Sequence, residues 1–144
     1  MDVSRIIEQA PDYIIMRMSP EFPKVERGRD IDLLVKDIEA WVFYLKYMVK
    51  DLPGQVVAYP LTPDHYQVDY YDKGFYLKWD LYKHYISFRY VDDTWKTKRI
   101  IQDRFIVPSV RMDRISKCYE CIHHGKSKYA EYEKYKDQLH EYAN

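Results

Sequence analysis

The segment Asp30-Ile31-Asp32-Leu33-Leu34-Val35 restricts the possible folds more than any other stretch of the chain. It reads as a short strand, and Asp37, just beyond it, has the chemistry of a helix N-cap. Residues 38–50 then form an expected amphipathic helix, with Trp41, Leu45, Met48 and Val49 near one face. A buried strand running straight into such a helix calls for a sheet with helices stacked on it. Alternate side chains of a strand share a face, so Asp30 and Asp32 point the same way, about 6–7 Å apart. Ile31, between them, points into the core.

The other elements follow from periodicity and turn chemistry. Residues 3–10 suggest a short helix stopped by Pro11, and residues 13–17 a buried strand. Residues 19–28, with Pro20, Pro23 and Gly28, read as a loop. Pro53-Gly54 ends the long helix, and residues 55–59 form a third strand. Residues 65–71 and 75–82 are expected as antiparallel strands around Asp72-Lys73-Gly74, a turn tolerant of positive φ. Residues 85–91 are expected to extend the sheet, 95–102 fit neither helix nor strand cleanly, and 104–107 are extended before Pro108. Ser109 or Asp113 caps a helix running to about His123, and Gly125 breaks it. A last helix covers 127–142, its apolar face mostly tyrosine. The expected class is α+β: a βαβ-like unit, an antiparallel meander and C-terminal helices. Residues 1–108 form the α/β core, a mixed sheet flanked by helices, and residues 109–144 a C-terminal helical segment packed on the same domain.

Composition narrows the function. A length of 144 residues allows one domain, and 47% hydrophobic residues exclude a wholly disordered chain. Lys and Arg number 23 and so do Asp and Glu, which excludes a strongly basic, bulk nucleic-acid binder. The balance is uneven: residues 1–72 hold 8 basic and 13 acidic side chains, and residues 73–144 hold 15 and 10. Two cysteines cannot frame a small secreted fold. Met1-Asp2-Val3-Ser4-Arg5 lacks a signal peptide's apolar run, and no apolar stretch approaches a membrane span. A cytoplasmic protein with no membrane partner is therefore expected. Sixteen tyrosines suit half-buried strands, helix faces and pocket walls, and can also stack on bases.

The carboxylates carry the chemistry. Asp30 and Asp32 repel each other on one strand face, an arrangement that suits a hard divalent cation between them. Asp80 has a similar setting in Phe75-Tyr76-Leu77-Lys78-Trp79-Asp80-Leu81-Tyr82. Alternation puts Lys78, Asp80 and Tyr82 on one face and Leu77, Trp79 and Leu81 on the other. If this strand neighbours the first, three carboxylates converge, enough for two Mg²⁺ or Mn²⁺ sites of a phosphoryl-transfer enzyme. The competing reading of an Asp-x-Asp at a strand start is a solvated edge.

Tyr13-Ile14-Ile15-Met16-Arg17, a ten-residue loop, Gly28-Arg29-Asp30-Ile31-Asp32-Leu33-Leu34-Val35 and the later Asp80 carry a resemblance. They resemble the nucleotidyltransferase (DNA polymerase beta-like) superfamily, specifically small stand-alone members whose first strand ends in Arg. Phe105-Ile106-Val107-Pro108-Ser109 and His123-His124-Gly125-Lys126 are similar to the tail of those proteins. The resemblance spans most of residues 12–128; its sharp part is the Asp-Ile-Asp block and Asp80. It implies a mixed nucleotidyltransferase-like sheet and metal-dependent transfer of a nucleoside monophosphate from a nucleoside triphosphate to a hydroxyl-bearing acceptor, a small molecule or a macromolecule. Asp30 and Asp32 would hold Mg²⁺ under the triphosphate, and Asp80 would complete a second site and help deprotonate the acceptor. The usual Gly-Ser turn before the Asp-x-Asp is replaced by Met16-Arg17-Met18-Ser19-Pro20. There Arg17 could supply charge to the phosphates and Ser19 a hydroxyl. The same departure also fits a non-catalytic protein on this scaffold, a nucleotide-binding or protein-interaction module. A third reading is an unrelated α+β module whose tyrosines line a binding surface.

Lys78 is a candidate phosphate contact or one half of a cross-strand salt bridge, and Arg104 and Lys126 carry the same alternatives. Cys118 and Cys121 with His123 and His124 provide too few spaced ligands for structural zinc; Cys118, Cys121 and Ile122 share a helix side and read as core. The tyrosine face of the last helix offers a surface for a homodimer. No P-loop, dinucleotide-binding glycine pattern or Gly-x-Ser-x-Gly is present.

Overall fold

The structure, a computed structural model, describes residues 1–125 and 129–143. It is α+β. Five strands form one sheet in the order β1-β2-β5-β4-β3: β1 (Tyr13–Met16), β2 (Asp30–Val35), β3 (Gln55–Thr62), β4 (His65–Asp72) and β5 (Phe75–Tyr82). β2 and β5 run parallel, and the remaining pairs are antiparallel. The hairpin between β4 and β5 pairs Asp72 with Phe75 across a two-residue loop. Lys73 and Gly74 both have positive φ, 45° and 85°, the geometry that matches the twist of the strands.

Two apolar layers sandwich this sheet. On one face Ile31, Leu33, Val35, Leu77, Trp79, Leu81, Val68 and Tyr70 meet α2 (Ile38–Val49). Asp37 caps α2 by accepting from the Ala40 amide at 3.0 Å, as expected. Trp41 is fully buried at the centre, edge-on to Tyr13 and Tyr44 and tilted against Trp79. The short helix α1 (Ser4–Glu8) closes one side of this layer through Ile6 and Ile7. On the other face Ile14, Met16 and Leu34 meet α3 (Phe88–Thr97), α4 (Val110–His124) and α6 (Lys136–Ala143). The C-terminal helices thus lie on the same sheet as the N-terminal strands. Among the described residues no helix is long and apolar enough to cross a membrane.

Several elements differ from the sequence reading. Residues 85–91 do not extend the sheet: Ser87 accepts from the Tyr90 amide at 3.1 Å and starts α3. The N-cap outweighs the β-propensity of Tyr85, Ile86 and Phe88. Residues 95–102 divide between the end of α3 and β6 (Arg99–Ile101), which pairs with β7 (Phe105–Val107). β3 runs on to Thr62, with an irregular register between Pro60 and Thr62. The last helix is interrupted: α5 (Tyr129–Tyr132), a 3₁₀ turn (Glu133–Tyr135) and α6 follow one another. Its expected start, Ser127, lies outside the described residues. Ile122 is 43% exposed, whereas Cys118 and Cys121 are buried as expected. Of the tyrosines of this last segment, Tyr142 is buried, and Tyr132 and Tyr135 are partly buried against the second layer.

Candidate active site

α3, α4 and α6 cover the second sheet face only over β1, β2 and the end of β5, so part of the polar face of β2, β5 and β4 stays uncovered. β2 alternates as expected, with Ile31 buried and Asp30 and Asp32 on the polar side. In register, Asp30 pairs with Lys78 and Asp32 with Asp80 across the parallel strands. Two carboxylates therefore stand side by side about 4.8 Å apart at the backbone, with a third two residues along the same face.

Each of the paired aspartates has a cationic or imidazole partner. Arg17, at the end of β1, donates from Nη2 to Asp32 Oδ2 at 2.9 Å. Its Nη1 donates to Ser116 Oγ at 2.7 Å and to the Tyr85 hydroxyl at 3.0 Å. Glu120 Oε1 lies 3.7 Å from Nη2 and accepts a short hydrogen bond from Tyr85. Asp80 Oδ1 is 2.9 Å from His65 Nε2, and the His65 ring stacks on Tyr82 at 4.0 Å. The Arg17 backbone sits in the left-handed region at φ 49°, where glycine would be unstrained. An arginine holds this left-handed position, and its side chain is turned toward Asp32 and Ser116.

The electrostatics follow from this packing. Burial pushes the Asp32 carboxyl above its ordinary value; Arg17 pulls it down and Asp80 pushes it up again. Burial also raises Asp80, against the pull of His65, with Asp30 adding to the rise. The same carboxylates, after burial, keep Tyr82 protonated far above its ordinary range. Burial opposes the charge of Arg17, but Tyr85, Asp32 and Glu120 outweigh it and strengthen the charged form.

A groove of about 600 Å³ opens beside β2, between its first residues and the loop after β1. Arg17, Ser19, Asp30 and Asp32 line it, together with Lys24 and Arg29. Gly28 sits in that loop at φ 78°, its amide bonded to the Tyr76 carbonyl at 2.6 Å. A Cβ there would meet the Tyr76 hydroxyl at 3.1 Å, so a larger residue would be strained in the backbone and would push the Tyr76 side chain aside.

The residues singled out in the sequence fall into three groups. Arg17, Ser19, Asp30 and Asp32 share the groove, and Asp80 joins them through Asp32. Lys78 stands on the same sheet face, between Asp30 and Asp69 in register. Arg104 is elsewhere, 3.8 Å from Glu8 and lining a separate cavity with Lys36 and Trp95. Lys126 lies outside the described residues. Sequence reasoning missed Glu120, Ser116 and His65. Ser116 and Glu120 sit four apart on α4, a polar pair beside the apolar stripe Met112, Ile115 and Cys118. His65 heads the alternating polar row His65, Gln67, Asp69, Tyr71 of β4.

The donor set suits a hard divalent cation in kind, since it offers carboxylate oxygens on one face of adjacent strands. It is not a ready-made cage. Among the described residues no group of three or more His, Cys, Asp or Glu side chains that could hold a metal ion is formed. Arg17 and His65 engage one oxygen each of Asp32 and Asp80, and the other oxygen of each lies outside these two bonds. Convergence on an ion requires side-chain torsions, because the backbone positions are already adjacent. Compared with family models, with curated proteins and with solved structures, the chain matches none.

Proposed function

We propose that this protein is a nucleotidyltransferase that moves a nucleoside monophosphate from a nucleoside triphosphate to a hydroxyl-bearing acceptor. The observation that carries the reading is the register of Asp32 against Asp80 on parallel strands, with Asp30 on the same face. Asp30, Asp32 and Asp80 would hold Mg²⁺ or Mn²⁺, which supplies charge neutralisation for the triphosphate when bound. The groove beside β2 has the volume of a small-ligand site. Arg29, Lys24 and Ser19 on its rim offer donors to phosphate oxygens.

The chemistry then assigns roles to the chain's own residues. The acceptor oxygen forms a bond to the α-phosphorus, the bond from that phosphorus to the bridging oxygen breaks, and pyrophosphate leaves with the electron pair. Asp80, with its carboxyl pKa raised by burial, takes the acceptor proton. His65 holds Asp80 from the side away from Asp32. Arg17 fixes Asp32 and ties it to α4 through Ser116 and Glu120.

Calorimetric titration of each nucleoside triphosphate with Mg²⁺ or Mn²⁺ tests the reading. Wild type is expected to give a metal-dependent heat that is lost in Asp32→Asn. Equal heats from both proteins, or no heat from either, overturn it. The ion pair of Arg17 with Asp32 favours a second reading, a non-catalytic module on the same fold. In that case a triphosphate binds without metal, and Asp32→Asn leaves binding unchanged.

A further inference from the structure

The sheet face beyond Asp80 is not used by the nucleotide reading. Two rows of side chains cross it at right angles to the strands. Asp32, Asp80, Gln67 and Tyr59 are successive register partners on β2, β5, β4 and β3. Asp30, Lys78, Asp69 and Val57 form the next row. At about 4.8 Å per strand, the first row carries the surface roughly 14 Å from Asp32 to Tyr59.

This surface is built and open. Asp69 is 5% exposed and accepts from Gln67 Nε2 at 2.9 and 3.1 Å and from the Tyr71 hydroxyl at 2.9 Å. The bond to Asp69 keeps the Tyr71 hydroxyl protonated, its pKa pushed up to about 12. The network fixes the Tyr71 ring, and Tyr59 and Tyr71 each remain 42% exposed, with Val57 at 39%.

We propose that this face of β3, β4 and β5 is the acceptor platform, and that its ligand is a carbohydrate without phosphate or carboxylate groups. The proposal rests on the transferase reading and adds the substrate class. Continuity is the first argument: the row that ends at Tyr59 starts at the Asp32–Asp80 pair, so a ring lying on Tyr59 and Gln67 extends toward Asp80. Chemistry is the second. Exposed phenol rings take the C–H face of a sugar, and an amide and phenolic hydroxyls take its hydroxyl groups. Charge is the third. Beyond the three carboxylates assigned to the metal, the two rows set one carboxylate, Asp69, against one cation, Lys78, so the platform offers a phosphorylated acceptor no surplus positive charge.

Saturation-transfer NMR with the full chain tests this against glucose, N-acetylglucosamine, maltose, glucose 1-phosphate and an oligothymidylate. Neutral sugars are expected to receive saturation on their ring C–H protons. Tyr59→Ala should weaken that binding about tenfold at an unchanged melting temperature, since its side chain lies at the surface. Gln67→Ala should weaken it as well, with a lowered melting temperature, because the buried Asp69 loses two of its three hydrogen bonds. Preference for the phosphorylated sugar or the oligonucleotide, no transfer to neutral sugars, or unaltered binding in both variants overturns the proposal. Triphosphate titration of the same proteins separates the two readings. Triphosphate binding without sugar binding defeats the platform alone, and sugar binding without triphosphate binding defeats the transferase reading alone.

Discussion

Asp32 and Asp80 are direct neighbours across the parallel pairing of β2 and β5, and each is held by a partner from a different element. Arg17 comes from the end of β1 and His65 from the start of β4. The pair is thus secured from both sides, yet burial still lifts both carboxyls above their ordinary value. Sites that keep such tension in the fold are candidates for function, because a purely structural pair would be better replaced by neutral groups.

A pH-dependent stability gain in Asp80→Asn follows. The folded-state pKa of Asp80 lies above the unfolded value of 3.8, chiefly through burial. The folded chain therefore binds this proton more tightly, and the charge costs stability as pH rises through the folded pKa. Asp80→Asn removes that cost. At pH 7 the variant should be more stable by roughly 1 kcal/mol, about 3–5 °C in Tm for a chain of this size. The difference should close as pH falls toward 4. Thermal denaturation at both pH values measures it, and a variant less stable than wild type at pH 7 contradicts it.

Arg17 should behave as the hub of the carboxylates. Arg17→Gln leaves Asp32 and Glu120 without their guanidinium and is expected to cost about 3–5 kcal/mol. Arg17→Lys should recover only part, since an ammonium cannot span Asp32, Ser116 and Tyr85 as a planar fork does. If Asp32 also holds a metal ion, millimolar Mg²⁺ should raise the melting temperature of Arg17→Lys more than that of wild type. Equal shifts in a thermal-melting series count against a metal at Asp32.

Gly28→Ala tests how the groove is framed. The alanine is strained at φ 78° and meets the Tyr76 hydroxyl at 3.1 Å. The cost should be about 1–2 kcal/mol in urea denaturation, from the left-handed backbone and the forced shift. Tyr76→Phe should relieve part of it, because that oxygen is the nearest atom. Additive losses in the double variant would show that contact with Tyr76 is not the cause.

The sequence made the core of this arrangement legible for a simple reason. Strand alternation alone set Asp30 and Asp32 on one face and Ile31 on the other, and the same rule sorted Lys78, Asp80 and Tyr82 from Leu77, Trp79 and Leu81. It did not give the parallel register that places Asp32 opposite Asp80, because pairing between distant strands depends on the whole sheet. Glu120 and Ser116 were hidden for a related reason: a helix face shows its polar stripe, but not which strand it will meet. Residues 85–91 read as strand in the sequence because aromatic and β-branched side chains favour strands, while the N-cap hydrogen bond of Ser87 decides locally for helix.

The last helix, though short, should control the stability of the site's back wall. Leu139 is 4% exposed and packs in the layer with Tyr90, Met112 and Cys118. Tyr142 donates to Asp93 Oδ2 at 2.7 Å and accepts from Arg111 Nη1 at 3.4 Å, joining α6 to α3 and α4. α4 carries Ser116 and Glu120, so its seat on the sheet positions the partners of Arg17. Leu139→Ala should cost about 2–4 kcal/mol by emptying a packed site, whereas Tyr142→Phe should cost about 1 kcal/mol by removing one hydroxyl. Urea denaturation ranks the two. Near-equal small losses would mean that α6 is only loosely seated and that α4 holds its place without it.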